Sequence, residues 1–154
     1  MSTGHDLAMS LRCAYLVMHR LADASLARFG VTADQFVLLA ALAESDALTQ
    51  KDLARLICSD ASTVRAMLVL LEGRGLVSRD PHPSDGRARC VTLTPNGRRE
   101  FRKMYKGSEE LRATLLAALE PDQADTLRAI LRRLTQALST AKGKPASADN
   151  DAHD

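Results

Sequence analysis

Arg65, Arg87 and Arg89 have the plainest binding chemistry in this 154-residue chain. A guanidinium is a rigid fork of N–H donors that matches phosphate oxygens, or the O6 and N7 acceptors of guanine, two at a time. Arg87 and Arg89 belong to RDPHPSDGRARCVTLTPNG, residues 79–97. Pro81, Pro83 and the Asp85-Gly86 step mark a turn, and RCVTL beyond it alternates as a strand does. The segment is expected to be an exposed hairpin with Asp85, Arg87 and Arg89 at its tip. A hairpin needs no arginines to hold itself together, so the tip is expected to meet a polyanion. Asp85 is expected to orient the Arg87 guanidinium through a bidentate pair. The plainer alternative is that Asp85-Gly86 supplies turn chemistry only.

The residues just upstream sit on helices that would position such a hairpin. LTQKDL opens one, with Thr49 as N-cap, Asp52 in the capping-box position and Leu48 facing Leu53. It ends near Ile57, the chain turns at Cys58-Ser59, and DASTVRAMLVLLEGRG forms a second helix to Gly73 or Gly75. Two short helices joined by about three residues make a helix-turn-helix. In the second helix Val64, Met67, Leu68 and Leu71 fall at core spacing, which turns Ala61, Ser62, Arg65 and Ala66 outward. A helix-turn-helix presents that face to base edges in the major groove of DNA. Arg65 would read guanine, and small Ala61 and Ser62 would allow close approach. Ser59, Thr63 and the Thr49-Gln50 helix start would hold phosphates through hydroxyls and backbone N–H groups. Arg87 would enter a neighbouring minor groove, where A·T tracts concentrate negative potential. The alternative for Arg65 is simple solvation of a surface helix.

Helices are expected on both sides. Leu7, Leu11, Ala14, Met18 and Leu21 recur at spacings of four and three between Asp6 and Phe29, with Gly30 as terminator. VTADQF then starts a helix over 33–43, with Thr32 as N-cap, Gln35 completing a capping box and Val31 stapled to Phe36. Thr94-Pro95 starts a long helix carrying Phe101, Met104, Ser108, Leu111, Leu115 and Leu119. Glu120-Pro121 interrupts it, and 122–139 carries Leu127, Ile130, Leu131, Leu134 and Leu138. The first and the last two helices have more apolar surface than the middle could cover, so they are expected to pair with a second copy. The expected fold is mostly α with a small β-hairpin wing: a winged helix-turn-helix flanked by N- and C-terminal dimerisation helices. Its parts are a first dimerisation helix (1–30), a DNA-binding domain (31–98), C-terminal dimerisation helices (99–140) and a disordered tail (141–154).

Composition narrows the function classes. The chain is 45% hydrophobic but only 3% aromatic, so its core must be built from Leu, Ala and Val. No run of 18 apolar residues suggests a membrane span, and no secretory signal opens the chain. Cys13, Cys58 and Cys90 are odd in number and lack metal-ligand spacing, so buried reduced thiols in a cytoplasmic protein are expected, with redox sensing as the alternative. No metal and no cofactor is expected. His5, His19, His82 and His153 are dispersed and no catalytic motif is present, which argues against an enzyme. Net charge is only +2, but residues 49–98 hold eight Lys or Arg against five acids, whereas residues 1–48 hold three against five. Positive charge therefore gathers around the hairpin. A winged-helix module that binds protein is the rival reading.

LVLLEGRGLVSR (68–79) and DGRARCVTLTPNG (85–97) fit the patterns LxxLExxGLVxR and DxRxxxVxLTxxG. The chain from about residue 6 to 140 resembles the MarR (multiple antibiotic resistance regulator) family. The resemblance implies an obligate homodimer on a pseudo-palindromic double-stranded DNA operator, usually as a repressor, with Arg87 in the minor groove and Asp85 supporting it. It also implies release by a small phenolic or aromatic acid bound between the dimerisation helices and the winged domain. Arg12, Tyr15 and His19 share a face of the first helix; Arg12 would pair a ligand carboxylate, Tyr15 and His19 would stack or hydrogen-bond, and Phe36 would supply an apolar wall. The peroxide-sensing branch has its cysteine near the position of Ala8 here, about five residues before Cys13, and the tyrosines that support it are missing. The urate-responsive branch uses a Trp, which this chain lacks.

Overall fold

A computed structural model of the chain describes residues 3–45 and 47–141. In chain order the elements are α1 (Thr3–Leu26) with a 3-10 turn (Ala27–Phe29), α2 (Ala33–Ala43), β1 (Leu48–Thr49), α3 (Gln50–Leu56), α4 (Ala61–Gly73), β2 (Val77–Pro81), β3 (Arg89–Leu93), α5 (Pro95–Gly107), α6 (Glu109–Ala117) and α7 (Gln123–Ala141). They fall into two units that divide after Arg112. The architecture is mostly helical with a small antiparallel sheet, as the sequence patterns predict. The expected tail lies outside the described residues, apart from Ala141 at the end of α7.

Local signals govern the helix starts. Thr32 accepts from the Gln35 N–H at 3.1 Å while the Gln35 side chain accepts from the Thr32 N–H at 3.1 Å, so the capping box is complete. Thr49 and Asp52 form the same device at α3. Asp60 caps α4, its carboxylate accepting from the Thr63 N–H at 2.8 Å. The stops are equally local. Both α3 and α4 end in a left-handed residue, Cys58 (φ 53) for α3 and Gly75 (φ 67) for α4, whose N–H and the next residue's N–H both donate back to the last turn.

The core is leucine-built. Leu26, Leu38, Leu39, Leu42, Leu53, Val64, Leu68, Leu71, Val91 and Met104 are fully buried. Leu38, Leu39 and Leu42 of α2 meet Val64, Leu68 and Leu71 of α4 in one cluster with Val91 and Leu93 of the sheet. Each such leucine contributes roughly 1.5–3 kcal/mol. The expected hairpin is present, with β2 paired to β3 from Val77↔Leu93 to Pro81↔Arg89. A third strand, β1, pairs Leu48 with Val91 and Thr49 with Cys90, giving the order β1-β3-β2. Two residues are too few to show an alternation, so the sequence carries no sign of it.

The helix expected to run from 95 to 119 is broken at Ser108. The Arg28 guanidinium donates to the Gly107 carbonyl at 3.0 Å. The Ser108 hydroxyl is within reach of the Met104 and Tyr105 carbonyls, and Arg112 donates to the Tyr105 carbonyl at 2.6 Å while lying 3.7 Å over its ring. Side-chain donors thus take carbonyls that a continuous helix would use, and a glycine at the break offers little propensity to resist. Gly107 is also packed: a Cβ there would lie 2.7 Å from the Phe29 ring.

In the second unit, α7 exposes Leu127, Ile130, Leu131 and Leu138 along one helical line, and no residue of α7 is buried. In the first unit, α1 exposes Leu7, Met9, Leu16, Val17, Met18 and Leu21. No single helix among the described residues is long and apolar enough to cross a membrane.

Two motif residues explain themselves at the junction between α4 and α5. The Thr94 hydroxyl donates to the Gly75 carbonyl at 2.6 Å and accepts from the Gly97 N–H at 2.9 Å, while the Thr94 N–H donates to the Leu76 carbonyl at 3.1 Å. A Cβ on Gly97 would stand 1.9 Å from that Leu76 carbonyl oxygen, so only glycine fits. Gly97→Ala is therefore expected to destabilise the chain by about 2 kcal/mol or more. Gly73→Ala, where nothing lies within 4 Å, should be neutral or slightly stabilising. Urea unfolding of the two variants checks both.

Candidate nucleic-acid interface

Helix α4 has two faces. Val64, Met67, Leu68 and Leu71 point into the core, and Ala61, Ser62, Arg65, Ala66, Val69 and Leu70 are exposed. Beside the outward face, a crevice of about 350 Å³ is lined by Gln50 of α3, Arg65 and Glu72 of α4, Arg79 of β2 and Arg89 of β3. Gln50, Arg65 and Arg89, far apart in sequence, are thereby brought to one place.

Arg79 and Glu72 carry no sequence expectation as individual site residues, although both are motif positions. The Arg79 Nε donates to Glu72 Oε2 at 2.9 Å, and a second, shorter bond joins its Nη2 to the same oxygen. These bonds hold the Glu72 carboxyl below its ordinary range, helped by the charges of Arg79 and Arg89. The pair fastens the wing to α4 and consumes one guanidinium. The side chains of Arg65 and Arg89 make no hydrogen bond or ion pair among the described residues, although the Arg89 charge acts on Glu72, so both can accept an anion.

The wing tip departs from expectation. Asp85 Oδ1 accepts the Arg87 backbone N–H at 3.0 Å, and the Asp85 carbonyl accepts the Ala88 N–H at 3.1 Å. No Asp85–guanidinium pair is present among the described residues: the short carboxylate closes the turn on its own neighbours, accepting the adjacent Arg87 N–H. The Arg87 side chain is exposed and without a partner among the described residues.

The hydroxyls expected on phosphates are also engaged. Thr49 donates its hydroxyl to Asp52 Oδ2 at 2.7 Å, and Thr63 donates its own to Asp60 Oδ2 at 2.7 Å. These bonds hold both carboxyls below the ordinary carboxylate range: Asp52 chiefly through the Thr49 hydroxyl, and Asp60 chiefly through the Thr63 backbone N–H. Capping therefore takes the protons that Thr49 and Thr63 would have offered. Ser62 stays exposed on the outward face.

Ser59 and Thr63 instead help line a second cavity, of about 220 Å³, with Tyr15, Asp34, Val37, Ile57, Cys58 and Met67. Of the four expected ligand residues only Tyr15 lines it. Arg12 is exposed elsewhere on α1, and Phe36 is stacked on Phe101 at 5.5 Å in a row that continues to Tyr105. A helix-face argument gathers Arg12 with Tyr15, but side chains one turn apart need not reach the same hollow. His19 lies behind Tyr15: the rings stack at 5.3 Å, and His19 Nε2 lies 3.4 Å from Asp23 Oδ2. Asp23 Oδ1 in turn accepts the Ala33 N–H at 2.6 Å, at the start of α2. Cys13 and Cys58 are exposed and Cys90 is half-buried, against the expectation of buried thiols. Cys58 occupies the left-handed turn position that ends α3.

The MarR family profile matches residues 31–88. Among curated relatives, an uncharacterized HTH-type transcriptional regulator of Bacillus subtilis is 30% identical over 105 residues, 68% of this chain and 64% of that protein. An HTH-type transcriptional repressor of Mycobacterium tuberculosis is 30% identical over 112 residues, 73% of this chain and 81% of that one. The chain thus spans somewhat under two thirds of the Bacillus protein's length. Among solved structures, a MarR mutant from Escherichia coli complexed with operator DNA is 25% identical with a TM-score of 0.75, covering 84% of this chain and 93% of that one. BpsR of Bordetella bronchiseptica, whose DNA binding is regulated by 6-hydroxynicotinic acid, is 29% identical with a TM-score of 0.75, covering 87% and 93%.

The Glu72–Arg79 pair carries a measurable pH dependence. Because the folded Glu72 value lies below the ordinary 4.5, its stabilisation is complete above that pH and is lost as pH falls through the lowered folded value. A Glu72→Gln chain should show a shallower fall in melting temperature below pH 4.5 than wild type, which thermal unfolding across pH 3–6 tests.

Proposed function

The chain belongs to the MarR family, and on that premise we propose that it is a homodimeric DNA-binding transcriptional regulator, acting as a repressor at a pseudo-palindromic operator. The observation that carries this is the pairing of an outward α4 face with unpaired guanidiniums. Arg65 stands on the helix, Arg89 borders the crevice beside it, and Arg87 stands at the wing tip. Arg65 fits a guanine edge, Gln50 and Arg89 fit the backbone beside it, and Arg87 fits the minor groove beyond. The exposed leucines of α1 and α7 support pairing with a second copy, since apolar lines of this length are covered in oligomers. Two α4 helices in successive major grooves would stand about 34 Å apart.

The effector is a small phenol held in the cavity beside Tyr15. At about 220 Å³ it is smaller than the roughly 300–1,000 Å³ of drug-sized sites, which suits one ring. Asp34 on its wall repels a carboxylate and accepts a phenolic proton, and Arg12 is not there to neutralise an acid. The ligand would act by binding the DNA-free arrangement more tightly than the bound one. A phenol should raise the melting temperature, whereas the matching benzoate should do so only in Asp34→Asn. Stabilisation of the wild type by benzoate instead would remove Asp34 from the selection.

Duplexes from the gene's own upstream region test the function by fluorescence anisotropy. The log of affinity should fall linearly with the log of salt, at a slope near −0.9 per phosphate contact. Arg65→Ala should cost about 1–3 kcal/mol and relax preference at one base pair per half-site. A loss equal for all sequences would make Arg65 a phosphate clamp. Arg87→Ala should weaken binding most where the flanks are A·T-rich; unchanged affinity there would take the wing out of the mechanism.

A further inference from the structure

Beyond Arg65, the outward face of α4 changes character. Ser62, Arg65, Ala66 and Val69 follow one another at helical spacing along the solvent side and border a single shallow groove. Only the first two carry a hydrogen-bonding side chain. Val69 is 51% exposed although the face behind it is packed to the core, so its position owes nothing to burial within the chain.

A side chain with no donor or acceptor, pressed on a base edge, strips water from that edge and replaces none of its hydrogen bonds. Against the amino groups of adenine or cytosine this is unfavourable. The one apolar feature in the major groove is the C5-methyl of thymine, which gains from the same contact. The helix rises about 1.5 Å per residue, so Val69 stands about 6 Å beyond Arg65 along α4. At 3.4 Å per base pair along the duplex axis, that spans at most about two base-pair steps. Arg65, at the edge of both the groove and the cationic crevice, ties this apolar strip to the charged surface that would seat it on DNA.

We infer that Ala66 and Val69 read thymine methyl groups, so that each operator half-site carries thymine within about two base pairs of the guanine contacted by Arg65. This rests on the DNA-binding function proposed above. It assigns to this chain a second specificity element that works by desolvation where Arg65 works by hydrogen bonding.

The test uses the full chain and its upstream operator, with each thymine replaced in turn by deoxyuridine, which removes the methyl and keeps base pairing. Affinity should fall about fourfold at one or two positions per half-site, as expected for one buried methyl. Those positions should lie beside the base pair at which Arg65→Ala relaxes preference. In Val69→Ser the position that Val69 covers, and in Ala66→Ser the position that Ala66 covers, should lose this sensitivity, while other positions behave as in wild type. Both substitutions fall on exposed helix positions, and circular dichroism confirms the fold. Tight operator binding with no deoxyuridine-sensitive position, or with sensitivity unchanged in both variants, overturns the inference and leaves the DNA-binding function standing. A wild-type chain that binds no duplex at low salt overturns both.

Discussion

The carbonyl of Leu76 is where the winged half of the molecule is joined. It accepts the Thr94 N–H at 3.1 Å and lies so close to Gly97 that no side chain can stand between them. Gly75, one residue earlier, turns the chain out of α4 through a left-handed conformation and gives its own carbonyl to the Thr94 hydroxyl. The end of α4, the root of β2 and the first turn of α5 are thereby held at backbone distance. Because the contact is between backbones, it leaves little room for the hairpin to rotate against the helix. Arg74 adds a second fastening at the same place, donating to the carbonyls of Gly30 and Phe29 at 2.6 and 2.8 Å. Those carbonyls end the first helix, where a cation suits the dipole. The angle of α4 is thus tied to α1 as well as to the wing.

With its frame rigid, the interface divides by side-chain length. Thr49, Thr63 and Asp85 are short, and each lies within reach of its own local backbone or cap partner. Their hydrogen-bonding capacity is absorbed by helix starts and by a turn. Arg65, Arg87 and Arg89 are long enough to clear those local partners. Arg79 is the exception that shows the rule, since Glu72 was placed within its range and keeps it. What remains to meet a partner is cationic at the crevice and the wing, and apolar further along α4.

The relay from the small cavity has the same economy. Tyr15 borders the cavity and stacks on His19, His19 approaches Asp23, and Asp23 caps the start of α2. Asp34 and Val37 of α2 border the cavity again. The cavity is thus bordered by α1, α2 and the turn into α4 together.

Much of this was legible in the residues. Thr32-Gln35, Thr49-Asp52 and Thr94-Pro95 place helix starts because a cap bonds within three residues of itself, and the spacing of Val64, Met67, Leu68 and Leu71 separates the two faces of α4 because helical geometry is local. The winged helix-turn-helix and its arginines follow from such near-neighbour rules. Tertiary structure alone decided what depends on distant partners. It paired β1 with β3, broke the helix at Ser108 through Arg28 and Arg112, and fastened Arg79 to Glu72. It also put Asp34 in the cavity and kept Arg12 and Phe36 out of it. Sequence spacing says which side chains share a face; which hollow they reach is set by elements packed against that face from elsewhere in the chain.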